Sequence, residues 1–282
     1  MGTLIIARLT FMEASRRKIL LAALLLGAAF LLVFGVGFHY IFVELEKNTI
    51  GTNLLERSEI ANFLLMAGLY VVNFLTVMMT VLTSVDTISG EISSGTIHTL
   101  VTKPVRRWEV VLGKWLGFAG MLSLYLLLMA GGVFIIAEIV ANYTPPHPLR
   151  ALGLMWMNAA LLLTVSLWGG TIFSTLANGV LVFGLFGVAF IGGWVEQIGA
   201  FLTDATASQT AINIGIITSL VMPSEALWKR AVYEIQSPLV RALGFSPFSS
   251  TSVPSPLMIV YAGLYLAIVL AWAVRQFNRR DL

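Results

Sequence analysis

The chain has 282 residues, of which 58% are apolar and only 11% are charged, with a mean hydropathy of +0.89. A soluble domain carries about 25% charged and about 45–50% apolar residues. So much apolar surface cannot be hidden from water in one globule, which excludes a soluble enzyme and a disordered chain. The sequence has no cysteine, so thiolate metal sites and cysteine nucleophiles are excluded. The net charge of +3 does not indicate a nucleic-acid partner.

Six apolar stretches are long enough to cross a bilayer, which takes about 20 apolar residues in a helix. Charges lie only near the ends of these stretches, where Lys114 and Glu138 can reach an interface. We therefore predict an all-α polytopic membrane protein, with a single transmembrane domain over residues 1–282. Its six predicted transmembrane helices cover residues 20–43, 60–85, 110–140, 152–176, 180–198 and 257–274.

The basic residues predict the orientation of these spans, because cytoplasmic loops of membrane proteins carry an excess of lysine and arginine. With the N-terminus inside, 11 of the 17 Lys and Arg residues fall on inner segments, but only 5 of the 14 acidic residues do. We therefore expect both termini to be cytoplasmic, in the plasma or inner membrane. The inner basic residues are Arg8, Arg16, Arg17, Lys18, Lys103, Arg106, Arg107, Lys114, Arg275, Arg279 and Arg280.

The first 19 residues precede the first span and have one apolar and one charged side. This pattern predicts an in-plane elbow helix over residues 1–19, lying in the inner interface. The apolar side carries Ile5, Leu9 and Met12, and the charged side carries Arg8, Glu13 and Arg16.

The segment 199–256 separates the last two spans and is predicted to be external. Its apolar stretch 211–222 is shorter than a span, and a crossing there would place the basic C-terminal residues outside. We interpret this stretch as either interfacial or re-entrant. After Pro223, the pattern places Ser224 as the N-cap and Glu225 in the first turn of an amphipathic helix. This predicts an outer interfacial helix before the last span.

The loop between the second and third spans is the sizeable polar segment on the inner side. Ile88, Ile92 and Leu100 are spaced for an amphipathic helix, and Pro104 stops it. We therefore predict a cytoplasmic helix over residues 86–104. An apolar face that points away from the membrane indicates a docking site for a soluble partner.

This loop resembles the coupling-helix signature of ABC-2 type transporter permeases. The resemblance rests on the run Asp86-x-Ile88-Ser89-Gly90-Glu91-x-x-x-Gly95-Thr96-Ile97-x-x-Leu100, followed by Lys103-Pro104-Val105-x-Arg107 and Gly113-Lys114. The subgroup it resembles contains the permease of nitrous-oxide reductase maturation. The resemblance implies the membrane subunit of an ATP-driven transporter, paired with a second permease copy as a homodimer or with a similar permease. It also implies two cytoplasmic ATP-binding-cassette ATPase subunits, which would bind ATP and Mg²⁺, so no cofactor, metal or catalytic residue is expected in this chain.

The resemblance also implies roles for individual residues, since the coupling helix of this family sits in a cleft of the ATPase. The carboxylates of Asp86 and Glu91 would contact the partner or pair with Arg106 and Arg107. The glycines would allow close backbone approach. The residues implied to dock on the ATPase are Asp86, Ser89, Gly90, Glu91, Gly95, Thr96, Lys103, Pro104 and Arg107.

Polar side chains also follow one face of the second span. Their spacing of three, four and three residues places them in a row, which we call the polar stripe: Asn73, Thr76, Thr80 and Thr83. Polar side chains within a bilayer face the protein interior or a cavity, so the stripe lines either a pathway or a helix seam. A similar row is predicted on the fourth span from Thr164, Thr171, Thr175 and Asn178.

Two other function classes compete with a transporter. An intramembrane enzyme is disfavoured, because His39, His98 and His147 lie in different regions and no span contains paired carboxylates. A force-transmitting subunit would relay ATPase motion to an external partner without moving solute through itself. It would share the docking loop, and the segment 199–256 is large enough to receive an accessory protein. The sequence leaves this alternative open, as it does the solute and the direction of transport.

Overall fold

The computed structural model describes residues 2–48, 54–95, 106–199, 202, 205–237, 239 and 253–280. These residues form helices and no strand, which confirms the all-α fold. The helices are α1 (Gly2–Ser15), α2 (Lys18–Asn48), α3 (Leu54–Ser84), α4 (Ser89–Ser93), α5 (Arg107–Ala141), α6 (Pro148–Gly170), α7 (Thr175–Gly199), α8 (Ala205–Val221), α9 (Ser224–Ile235) and α10 (Pro256–Arg279). Six of them are long and apolar enough to cross a membrane, as predicted: α2, α3, α5, α6, α7 and α10.

Several helix ends follow from local sequence. α6 and α10 each begin with a proline, Pro148 and Pro256, whose fixed φ suits the first helical position and whose missing N–H is not needed there. α5 ends at Ala141 and is capped by Asn142, which adopts the left-handed conformation with φ 51°. Asparagine tolerates that conformation better than most residues, so it serves as a helix terminator.

The helix α6 lies at the centre of the bundle. Within its most apolar stretch 72% of the residues are buried, against 11% for α2 and for α10. Consecutive leucines at positions 161 to 163 are all buried, so α6 is covered around its whole circumference. α2 and α10 lie at the periphery, and their exposed leucines, valines and isoleucines suit contact with lipid.

The N-terminal helix α1 packs along the first turns of α5, where two glycines allow close approach. A Cβ atom added to Gly113 would lie 2.6 Å from the Cβ of Ile6, and one added to Gly117 would lie 2.7 Å from the carbonyl oxygen of Ala7. The helix ends at Ser15, and after a turn at Arg16 and Arg17 the chain continues into α2. The side of α1 that faces away from α5 is exposed and apolar, as expected at a membrane interface, with Leu4, Ile5, Leu9 and Met12.

The boundary between the fourth and fifth spans differs from the sequence prediction of 152–176. α6 ends at Gly170 and α7 begins at Thr175 after a short turn. A pair of glycines ends α6, since glycine is a poor helix former. Across the turn the Asn178 side chain donates a hydrogen bond to the carbonyl oxygen of Ser166 at 2.9 Å. Thr175 and Asn178 therefore belong to the fifth span, and the predicted row of four polar residues on the fourth span is wrong.

The helices α8 and α9 meet at an angle of 107° and form what we call the outer hairpin, after the side of the membrane predicted for it from the sequence. α8 is longer than the predicted apolar stretch 211–222, because the preceding residues from position 205 are also helical. α9 is found at the predicted position, but its apolar face, with Leu227 and Trp228, is buried in the bundle. Pro223 occupies the N-cap position, so the prediction that Ser224 caps this helix is wrong.

One buried asparagine joins three elements near the outer hairpin. The side-chain amide of Asn62 donates to the carbonyl oxygen of Ile235 at 3.0 Å and to the hydroxyl of Tyr143 at 2.7 Å. Its side-chain oxygen accepts from the backbone N–H of Ser237 at 3.4 Å. Burial raises the pKa of the Tyr143 phenol, so this hydroxyl stays protonated at neutral pH. Asn62 therefore fixes the end of α9 on α3.

Candidate functional site

The predicted cytoplasmic loop begins where α3 ends. A turn follows Ser84, and the short helix α4 comes next. Gly95 ends this helix with φ 71°, a conformation that glycine adopts without a Cβ clash. The remainder of the predicted helix 86–104 lies outside the described residues, as do Thr96, Lys103 and Pro104.

The side of this loop that faces the membrane domain is buried against the start of α7. The Ile88 side chain is buried, and the hydroxyl oxygens of Ser89 and Thr175 lie 2.9 Å apart. The Ser89 hydroxyl is also 2.9 Å from the backbone carbonyl of Val85, so it links the turn after α3 to α7. These contacts hold the loop against the fifth span.

Asp86 is paired with the arginine that lies between α1 and α2. Arg17 donates hydrogen bonds to Asp86 Oδ1 at 2.7 Å and to Glu13 Oε1 at 2.8 Å. Burial by itself would lower the pKa of Arg17, but the hydrogen bonds to Glu13 and Asp86 outweigh it and raise the pKa. The guanidinium therefore stays charged, and it ties the loop to the elbow between α1 and α2.

Glu91 is paired with a lysine of the third span. Lys114 Nζ donates to Glu91 Oε1 at 2.5 Å and to the carbonyl oxygen of Thr87 at 3.2 Å. The Lys114 side chain is only 5% exposed, so it points into the protein and does not extend to an interface. Sequence reasoning missed this pairing, although a cation inside an apolar stretch was a signal that it needs a partner.

The two arginines that follow the loop have other partners. The backbone N–H of Arg106 donates to Glu109 Oε2 at 3.0 Å, which closes the first turn of α5. Arg107 Nη1 donates to the carbonyl oxygens of Arg280 at 2.6 Å and of Asn278 at 3.3 Å, at the end of α10. The Arg280 guanidinium in turn donates to the carbonyl oxygen of Thr171. Asp86 and Glu91 are thus paired with Arg17 and Lys114, and not with Arg106 and Arg107.

The side of the loop that faces away from the membrane domain is exposed and could contact a partner protein. Ser93 and Ser94 are exposed at the end of α4, and Gly90, Glu91 and Gly95 are partly exposed. Small side chains and accessible backbone at this position leave room for another protein to approach closely. Five of the predicted docking residues share this loop, namely Asp86, Ser89, Gly90, Glu91 and Gly95, whereas Arg107 contacts α10.

The polar stripe lies in the interior of the bundle, where all four of its side chains are buried. Thr76 and Thr80 each donate to the backbone carbonyl four residues earlier, at 2.8 and 2.7 Å. Thr83 makes the same bond at 2.7 Å, and Asn73 accepts from the side-chain amide of Asn158 on α6 at 3.2 Å. The stripe therefore forms part of the seam between α3 and α6 in the single chain.

A family model described as ABC-2 family transporter protein matches residues 4–282. The chain belongs to this family. It is therefore a multi-pass membrane permease subunit of an ABC transporter, a class of permease that works with an ATP-binding-cassette subunit. No curated protein matches the chain. The resemblance to the nitrous-oxide-reductase-maturation subgroup stays a prediction.

Proposed function

We propose that this ABC-2 permease couples ATP hydrolysis by a separate cytoplasmic ATPase to the movement of a solute across the membrane. In this proposal the permease forms a homodimer on two ATPase subunits, with both termini cytoplasmic, and ATP and Mg²⁺ bind to the partner. The observation that supports it is the attachment of the α4 loop to three separate parts of the membrane domain. The loop is bonded to the α1–α2 elbow, to α5 and to α7.

These attachments make the loop a rigid connection. The bonds to Arg17 and Lys114 are charge-assisted, a kind of hydrogen bond about twice as strong as one between neutral groups. A partner that pushes on α4 would therefore move α5 and the elbow with it, because the loop cannot slide without breaking these two partly buried ion pairs. Ser94 stands at the exposed end of this connection, where the ATPase would bind.

Cross-linking at the end of α4 tests the docking step. The chain has no cysteine, so Ser94→Cys introduces the only thiol. A cysteine-directed cross-linker should join it to the ATP-binding-cassette subunit when the two are co-expressed. Leu128→Cys is the control, because Leu128 is exposed on the apolar part of α5, away from both ends of that helix.

Ser94→Trp complements the cross-link by adding bulk at the same exposed position. It should weaken co-purification of the ATPase while the permease still inserts and folds. Glu91 is unsuited to this test, because its loss would also leave Lys114 without a counter-charge. Equal cross-linking at Ser94 and Leu128, together with unchanged co-purification of Ser94→Trp, would refute docking at α4.

The force-transmitting alternative makes a different prediction for the polar stripe. A transporter must open a solvated path when the ATPases bind ATP, so Thr76→Cys should become reactive toward a water-soluble thiol reagent in that state. A relay subunit needs no such path. If Thr76→Cys stays unreactive in every nucleotide state while Ser94→Cys still cross-links to the ATPase, the stripe is a packing seam and not a solute path, as a relay subunit predicts.

A further inference from the structure

A more deeply buried pair of charges lies at the opposite end of the molecule from α4. Lys229 Nζ on α9 donates to Glu196 Oε2 on α7 at 2.7 Å, and the two side chains are 6% and 7% exposed. Lys229 also lies 3.5 Å from the carbonyl oxygen of Gly193. A buried ion pair is often no more stabilising than apolar residues of similar size, and buried charges in membrane proteins commonly mark functional sites. We therefore expect this pair to have a role other than stabilising the fold.

The ion pair lines a cavity of about 140 Å³ between α7, the outer hairpin and the start of α10. An engineered cavity of about 150 Å³ in another protein holds a benzene molecule, so this one has room for a small chemical group. Two hydroxyls add polar contacts beside the charges. The lining includes Ser219 and Ser255 together with the apolar Ile216, Leu220, Ala226 and Met258.

The position of the pair along α7 places it at the level of lipid headgroups. α7 begins at Thr175, which contacts Ser89 at the start of α4. Glu196 follows 21 residues later on the same helix, which corresponds to about 32 Å along its axis. The hydrocarbon core of a bilayer is about 30 Å thick. The Glu196–Lys229 pair therefore lies near the headgroups of the leaflet opposite α4.

The rim of the cavity that α8 forms is apolar and exposed at the surface of the protein. Ile216 and Leu220 are 50% and 49% exposed, although both line the cavity. Exposed isoleucine and leucine beside an opening at membrane depth favour contact with acyl chains over contact with water. The occupant that suits this surface enters sideways from the bilayer.

We propose that this cavity binds the headgroup of a phospholipid that carries both a phosphate and a primary ammonium group, as phosphatidylethanolamine does. The phosphate accepts hydrogen bonds from Lys229, and the ammonium donates to Glu196. A lysine ammonium has three donors and a carboxylate about four acceptor positions, so each can serve its partner in the pair and the lipid together. The acyl chains lie against Ile216 and Leu220.

The same chemistry predicts which lipids are rejected. The anionic headgroup of phosphatidylglycerol brings a phosphate to Lys229 but no cation to Glu196, and the buried carboxylate repels it. Phosphatidylcholine has a quaternary ammonium without an N–H to donate. This inference does not depend on the ATPase, so it stands or falls separately from the proposed transport function.

Native mass spectrometry of the delipidated full-length permease tests the proposal by titration with single lipids. Phosphatidylethanolamine should bind at least about tenfold more tightly than phosphatidylglycerol or phosphatidylcholine, a difference of one charge-assisted hydrogen bond. Glu196→Gln should shift the preference toward phosphatidylglycerol, because the carboxylate that binds the ammonium and repels the anionic headgroup is gone. Lys229→Gln should weaken binding of both lipids. Glu46→Gln, in the exposed Arg57–Glu46 pair, is the control and should change nothing.

A second measurement needs no variant. Thermal unfolding of the wild-type permease in micelles should shift upward with added phosphatidylethanolamine and shift less with the other two lipids. Equal binding of the three lipids, or an unchanged lipid preference in Glu196→Gln, would overturn the proposal. Soluble phosphoethanolamine that binds as tightly as the lipid would also overturn it, since the site would then belong to a water-soluble solute.

Discussion

The ion pair between α4 and the third span leads to a quantitative prediction. Lys114→Met removes the cation and leaves the Glu91 carboxylate, which is 20% exposed, without its partner. Breaking a fully buried ion pair costs about 3–5 kcal/mol. Because water can reach part of Glu91, we expect Lys114→Met to lower the free energy of unfolding by about 2–3 kcal/mol.

The double variant Glu91→Gln/Lys114→Met separates the ion pair from the packing of its side chains. With both charges removed no unpaired ion remains, so we expect a loss of about 1–2 kcal/mol, less than either single substitution causes. If Glu91→Gln alone also costs about 2–3 kcal/mol, the coupling energy of this double-mutant cycle should be about 3 kcal/mol. Unfolding in mixed micelles by increasing denaturing detergent, followed by fluorescence of the seven tryptophans, measures each value.

An exposed pair in the same region supplies the control. Glu13→Gln leaves Arg17 paired with Asp86, so we expect it to cost less than about 1 kcal/mol. If Lys114→Met unfolds like the wild type, or if the losses of the two single substitutions simply add in the double variant, Lys114 does not hold α4 and the rigid connection is wrong.

Three further predictions concern orientation, helix packing and the polar stripe. Reporters inserted near Ser94 and fused after Leu282 should be cytoplasmic and one inserted near Ser208 external; an external C-terminus would contradict the six-span topology. Gly113→Ala should lower the free energy of unfolding by about 1–3 kcal/mol and speed hydrogen exchange in α1, because the added Cβ would clash with Ile6. The control Gly153→Ala should not destabilise the protein, because Gly153 is exposed and has open space around it. Without nucleotide, Thr76→Cys should not react with a soluble thiol reagent, while Ser93→Cys at the end of α4 should react quickly; fast reaction at Thr76 would mean that the α3–α6 seam is solvated.

The transmembrane helices could be predicted because the bilayer imposes a length and an apolar composition that a single sequence displays directly. The predicted end of the fourth span was wrong because it too rested on apolar composition. Residues after Gly170 remain apolar, so hydropathy gave no sign of the turn that separates α6 from α7. The helix starts at Pro148 and Pro256 fit the preference of proline for the first turn.

The ion pairs could not be predicted, because their members are distant in sequence. Asp86 is 69 residues from Arg17, and Glu91 is 23 residues from Lys114. Their pairing depends on how α1, α3 and α5 pack, which hydropathy does not specify. Local patterns located the loop and its acidic residues, and the family resemblance left their partners open between the ATPase and two nearby arginines. In the same way, the polar stripe was recognised from spacing, whereas its burial follows from the central position of α6.

The hydrogen bonds at the end of α10 have a practical consequence for fusion proteins. Arg107 holds the end of α10 through main-chain carbonyl oxygens, which every amino acid supplies, so the identity of residue 278 matters little to this contact. The Arg280 guanidinium, in contrast, donates to the carbonyl oxygen of Thr171 in the turn after α6, and it lies two residues before Leu282. A bulky tag joined directly to Leu282 would pull on that contact. A flexible glycine-serine spacer of about ten residues would let the tag move without dragging the helix with it.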